Sequence, residues 1–206
     1  LISSALQLDA VRDYLDESFM LTEDISLSAY NAGTGWQPIG TESNPFTGKF
    51  IGAGYTISDL TINNSALSNA GLFGYAYGAI ISGVVIQNAN ILARDHVGVL
   101  VGSAKETNIE LSFVDGQIEA VSYVGGVVGM IQNGSLIETA SIVNIDGVLA
   151  VGGCVGKSEH TLTLNSYAKG DMSSQSVAGG LIGEIDSGSI VENSYSIGYV
   201  YSQIGR

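Results

Sequence analysis

Positive charge is scarce in this chain. Seven Lys and Arg stand against 20 Asp and Glu in 206 residues, a formal net charge of −13. A nucleic-acid groove needs clustered cations to displace counterions, so nucleic acid is excluded as a partner. Anionic membrane surfaces are disfavoured for the same reason. The single cysteine, Cys154, rules out an internal disulfide framework. No apolar run approaches the ~20 residues that cross a bilayer, so no membrane insertion is expected. Prolines number two and histidines two. No H-E-x-x-H, P-loop or calcium-loop pattern occurs, and neither a metal nor a cofactor is expected.

Glycine is abundant instead, with 28 copies, and apolar residues make up 45% of the chain. Apolar residues between the glycines can build a core, so this is not flexible low-complexity sequence. The run "VGGVVG" at 124–129 has relatives at 97–102 ("VGVLVG"), 151–156 ("VGGCVG") and 178–183 ("AGGLIG"). Their closing glycines, Gly102, Gly129, Gly156 and Gly183, lie 27 residues apart, and "NAGLFG" at 69–74 precedes them. A second rank runs through "VVIQNA" (84–89), "LSFVDG" (111–116), "ETASIV" (138–143), "NSYAKG" (165–170) and "NSYSIG" (193–198). In a third, Ile91, Ile118, Ile145 and Met172 are again 27 apart, with Val200 following after 28.

Each rank is short, alternates near period two, and is broken by Gly, Asn, Asp or Ser. Glycine inside each run argues against helix, at about 1 kcal/mol per residue relative to Ala. Three short strands repeating every 27 residues make one coil of a solenoid, in which each coil buries its core against its neighbours. The fold expected is all-β: a right-handed parallel β-helix of about six coils with a short N-terminal capping helix. The glycine run is read as scaffold, not as a phosphate or calcium site.

Residues 1–65 differ in kind. After Ser4, a capping residue, Leu8, Val11 and Leu15 fall on one helical face. "FMLTEDISLS" reads as a first strand pair and "GWQPIGTESNPFTGKF" as a loop with aromatic plugs. Residues 1–65 therefore form a capping module with the first coils, and 66–206 the regular repeats, continuous with it as one domain. The chain opens without Met or a basic leader and ends in mid-pattern, which reads as a segment of something longer.

The stretches "LTEDISLS", "GWQPIG", "PFTGKFIGAGYTISDLTI" and "AGGLIG…NSYSIG" resemble the GLUG-motif repeat proteins of bacteria over nearly the whole chain. "FIGAG" departs from that family in carrying Ile51 and Ala53 where Asp and Asn are common. The resemblance implies a filamentous-haemagglutinin-like, adhesin-type β-helix, secreted or at the cell surface. It also implies further domains in the parent protein. Relatives occur beside secreted immunoglobulin-A-cleaving metallopeptidases, but no peptidase motif is present to carry over.

The candidate chemistry is sparse. "ARDH", with Arg94, Asp95 and His96, is the best polar cluster and reads as a solvated corner; no catalytic residue is assigned. Cys154 sits where Leu100, Val127 and Leu181 stand in other coils, and reads as a small buried hydrophobe. No threonine ladder exists for ice binding. Candidate ligand-binding residues are Tyr167 and Tyr195, which share a rank with Phe113, and the polar rank Asn90, Gln117, Asn144 and Asp171. The function expected is non-enzymatic, in adhesion to a host or matrix glycan or protein, or as an extracellular stalk. A carbohydrate-active β-helix enzyme is the rival reading, and a convergent Arg/carboxylate groove would favour it.

Overall fold

A computed structural model describes residues 1–203. The chain is an all-β parallel solenoid with one short N-terminal helix. Among the described residues its strands stack in four sheets of seven, five, ten and four strands, and the strands pair in parallel between successive coils.

One coil shows how sequence becomes structure. Ser122–Gly125 and Val128–Gln132 come from the glycine run, which turns a corner at Gly126 and Val127. Ser135–Ile137 follows, then Ala140–Gly147. The second and third ranks therefore merge into one strand here, as they do in Phe113–Glu119 and Val85–Leu92. They separate again at Gly170, where Tyr167–Lys169 and Met172–Ser174 are distinct strands.

The seven-stranded sheet, containing Asn108–Glu110, Ser135–Ile137 and Leu162–Leu164, belongs to none of the three ranks. Its seven strands count seven rungs where the repeat suggested about six coils. The N-terminal module conceals the difference, because Ser18 pairs with Lys49 and Lys49 with Ile80, a longer spacing than 27. The expected start of a further glycine strand, after Ser202, lies outside the described residues.

The interior is one apolar cluster running from Ile2 to Ile182. Ile62, Ile91, Ile118, Ile145 and Met172 stack in register within it, all buried. Each such side chain contributes roughly 1.5–3 kcal/mol of burial. At the N-terminal end, Ser4 caps the helix Ala5–Asp9 by accepting the Gln7 N–H, and Leu8 and Val11 are fully buried in the same cluster. The loop plugs behave as expected. Trp36, Phe46 and Phe50 are buried, and both phenylalanines pack on Phe73, at 4.8 and 5.2 Å between ring centroids.

The corners use left-handed backbone at recurring positions. One rank is Leu111, Glu138, Asn165 and Asn193, with φ between 50° and 52°. The next residue in each case is Ser or Thr. Ser112, Thr139, Ser166 and Ser194 each donate a hydroxyl to the carbonyl two residues before. Ser112, Ser166 and Ser194 also accept a backbone N–H from the preceding coil. The "NS" of "NSYAKG" and "NSYSIG" is thus a corner residue followed by a hydroxyl that bolts two coils together.

The closing glycines have a second task. A Cβ on Gly129 would overlap the Val97 nitrogen and the His96 carbonyl carbon of the preceding coil, and Gly156 faces the Tyr123–Val124 backbone in the same way. Another rank of left-handed residues, Asn69, His96, Tyr123 and Ala150, is thereby pressed against the five-stranded sheet. This contact shapes the surface described next.

Candidate functional site

The polar rank forms on the outside of the ten-stranded sheet. Asn90, Gln117 and Asn144 are in register on successive coils, and Asp171 follows; all four are exposed. They line two shallow grooves, of about 510 and 400 Å³. Several of these oxygens are already engaged. The Asp171 N–H donates to Asn144 Oδ1 at 3.0 Å, and the Tyr199 N–H donates to Asp171 Oδ1 at 3.0 Å. In the smaller groove Asp59 accepts from Asn88, Ser26 and Ser58, and these hydrogen bonds, Asn88's first, hold its carboxyl below the usual range. The rank therefore ties coils together at its C-terminal end and leaves Asn90 and Gln117 the freer members.

Tyr167 and Tyr195 do not join it. Their rings stack on each other at 5.4 Å and 8°, and neither lines the two grooves. Phe113 shares their rank but not their stack, because Ala140 occupies the coil between Phe113 and Tyr167. Cys154 is fully buried, its thiol donating to the Tyr167 carbonyl at 3.2 Å. Burial pushes that thiol up to about 12, so little thiolate is available for chemistry.

A different surface gathers more functional groups. The loop carrying Trp36 to Glu42 bridges the Phe73–Tyr77 edge of the five-stranded sheet at Ile39, and Glu42 lies beside the outer face where Tyr75, Ser103 and Met130 are in register. Two adjoining hollows result, of about 230 and 390 Å³, sharing Glu42, Ser68 and Asn69. The first is lined by Trp36, Pro38 and Leu67; the second by Tyr75, Asp95, His96, Ser103, Lys105 and Gln132. "ARDH" therefore splits. Arg94 projects into solvent, while Asp95 and His96 face the cleft.

Several polar groups in the cleft are held. Asp95 pairs with Arg94 at 2.9 Å and accepts from Ser68 at 3.3 Å. His96 stacks on Tyr123 at 5.2 Å and 14°. Ser103 donates to Asn69 Oδ1 at 2.6 Å, and Gln132 to Glu159 at 2.8 Å. Lys105 lies over the Tyr77 ring, 5.9 Å from its centre. Beyond the cleft, Lys157 meets Glu159, Glu184 and Asp186 at 3.0, 3.2 and 3.5 Å and lies over Tyr123. The hydrogen bond to Glu159 does most to raise the Lys157 pKa. Burial lowers the His96 pKa, opposed by Asp95 and Glu42, and burial with Glu42 beside it raises that of Tyr75.

Sequence reasoning missed Glu42, Tyr75, Ser103, Lys105 and Gln132. A signal existed for four of them: Tyr75, Ser103 and Met130 each follow a closing glycine, and Tyr77, Lys105 and Gln132 stand two positions later. Among the described residues, no group of three or more His, Cys, Asp or Glu is placed to hold a metal ion. No helix among them is long and apolar enough to cross a membrane.

No family model matches the sequence. The chain is 33% identical over 139 residues to halomucin of Haloquadratum walsbyi, a match covering 63% of this chain and 2% of halomucin. It is 46% identical over 78 residues to a protein of Evansella cellulosilytica named as a Gly-rich membrane protein, covering 36% of this chain and 9% of that one. The chain thus spans a small fraction of the length of both relatives. Among solved structures, a Bacteroides ovatus protein described as an immunoglobulin A1 protease superposes with TM-score 0.75 at 18% identity, over 98% of this chain and 66% of that one. A second, named IgA1 Protease, gives 0.74 at 19% identity, over 98% of this chain and 16% of that one. These likenesses establish the β-helix fold.

Proposed function

We propose that the chain is a non-enzymatic β-solenoid segment of a secreted or cell-surface protein, acting as an adhesive module or as a stalk. The observation that carries this reading is the unbroken seven-rung stack. At about 4.8 Å per rung the coils make a rod roughly 30 Å long, stiffened by hydrogen bonds along its axis. Such a rod separates whatever lies at its two ends and presents its long faces to partners. The match to 2% of halomucin supports a role as one segment among many. The resemblance to GLUG-motif adhesin-type proteins of bacteria points the same way.

The enzyme alternative has one observation in its favour, the carboxylates of Glu42 and Asp95 in a shared cleft. Against it, Asp95 is committed to Arg94 and Ser68, and no arginine among the described residues lines the cleft. The test presents the 206-residue chain to arrayed glycans and matrix proteins, with and without calcium. The same polysaccharides are assayed for new reducing or unsaturated ends. Binding without turnover is the expected result. Turnover would replace this reading with the enzyme.

A further inference from the structure

We infer that the cleft between the Trp36–Glu42 loop and the outer face of the five-stranded sheet binds an uncharged pyranose, one residue of a neutral glycan. This rests on the adhesive form of the function proposed above and gives it a site and a ligand class.

Size and shape come first. The two hollows meet at Glu42, Ser68 and Asn69, and the larger is about 390 Å³. That falls within the range of about 300–1,000 Å³ typical of small-molecule sites.

The lining then narrows the ligand. A pyranose offers a C–H face and a rim of hydroxyls that both donate and accept. The cleft supplies an apolar side at Pro38 and Leu67, beside the buried Trp36. Its other side carries the acceptors Glu42, Asp95 and Ser103 and the Lys105 donor, with Tyr75 and Gln132 able to do both. An anion would meet Glu42 and Asp95, with Lys105 the only Lys or Arg among the described residues that line the cleft. A cation would meet Lys105, with Asp95 already neutralised by Arg94. A neutral, hydroxyl-rich ring satisfies both signs at once.

Preorganisation completes the case. Glu42 sits on a turn closed by paired Thr41 and Asn44 hydrogen bonds at 2.9 and 3.1 Å. His96 is fixed by Tyr123, Asp95 by Ser68 and Arg94, Ser103 by Asn69, and Gln132 by Glu159. Side chains already held lose little freedom when a ligand arrives. The free oligosaccharide carries most of the ordering cost.

The experiment applies the labelled 206-residue chain to an array of neutral, sialylated and sulfated glycans, with matrix proteins in parallel wells. Glu42→Gln, Lys105→Met, Gln117→Ala and Tyr195→Ala variants accompany it, each first checked for native circular dichroism. The expected result is binding to a neutral glycan, weakened about tenfold or more by Glu42→Gln and Lys105→Met, since each removes a charge-assisted hydrogen bond. Gln117→Ala and Tyr195→Ala should leave it unchanged. Titrating the best neutral glycan should also shift the His96 imidazole resonances of the unaltered protein. Loss with Gln117→Ala or Tyr195→Ala alone would overturn the cleft and keep adhesion, moving it to the ten-stranded face. Preference for sulfated or sialylated glycans would overturn the uncharged ligand. Binding to matrix protein but to no glycan would overturn the cleft and keep adhesion. Binding to neither would overturn both.

Discussion

The backbone N–H of Thr139 donates to the Ser166 hydroxyl at 3.2 Å, tying one coil to the next through a buried side chain. The same hydroxyl donates to the Leu164 carbonyl at 2.9 Å. Ser166→Ala therefore leaves a buried N–H unpaired and should cost roughly 1–3 kcal/mol. Ser166→Thr, which restores the group Thr139 uses at the equivalent corner, should cost much less. Urea midpoints of the two variants would decide it; equal midpoints would remove the hydroxyl from the account.

Leu111 holds a left-handed conformation, φ 52°, with its side chain exposed. Its counterparts two and three coils on are Asn165 and Asn193, which tolerate that backbone more easily. Leu111→Asn should stabilise the chain by up to about 1 kcal/mol, and Asn165→Leu should do the reverse. Opposite shifts in melting temperature are the expected readout. Shifts of one sign would mean that the surface change, not the backbone, decides.

Gly129 presses on the backbone of His96 and Val97, where a Cβ finds no space. Gly129→Ala should cost at least about 3 kcal/mol, because the obstructing atoms are backbone of the neighbouring coil and cannot turn aside. The same step should displace His96 from the cleft. A folded Gly129→Ala protein with native melting behaviour would contradict the close approach.

The solenoid was legible because one spacing recurs in residues that must stack. The Ile91, Ile118, Ile145, Met172 ladder follows from sequence and holds in register. The seven-stranded sheet was not legible. Its strands are three residues long and most bury a single side chain, such as Ile109, Leu136 or Thr163, so there is no alternation to read. Left-handed corners fall on Asn165 and Asn193, which favour that backbone, though both lie in runs that read as strand. They were hidden at Leu111, Glu138 and Tyr123, where stacking on neighbouring coils dictates the backbone against residue preference. The polar rank was found, but its role in bonding Asp171 and Tyr199 backbone was not. The cleft joins a loop near residue 42 to strands near 75, 103 and 130, and a repeat in the strands alone cannot announce it.

Ile190, Tyr195, Ile197 and Tyr199 are exposed on the last described rung, Tyr199 by 82%. An apolar rung edge on which no further strand pairs among the described residues is a template for another strand. The isolated 206-residue chain should therefore associate in a concentration-dependent way, read by sedimentation velocity. Tyr195→Lys together with Ile197→Lys should suppress the association. A single species at all concentrations would show that this edge is not sticky enough to pair.

Titration separates two regions of the fold. Burial holds the His96 pKa below its ordinary value of 6.5, with Lys157 pushing the same way and Asp95 and Glu42 opposing. The unfolded chain thus takes up the His96 proton at a higher pH than the folded one. Stability should be full above 6.5 and fall as pH drops below it. Asp59 behaves differently: its carboxyl is lowered from 3.8, so its contribution is present above that value and lost as pH falls through the folded value. Between about pH 6.5 and about pH 5, His96 is the shifted group in play. Urea midpoints should decline over that interval in the unaltered protein and decline less in His96→Phe, which keeps the ring against Tyr123. Equal declines in both would move the pH response away from His96 and the cleft.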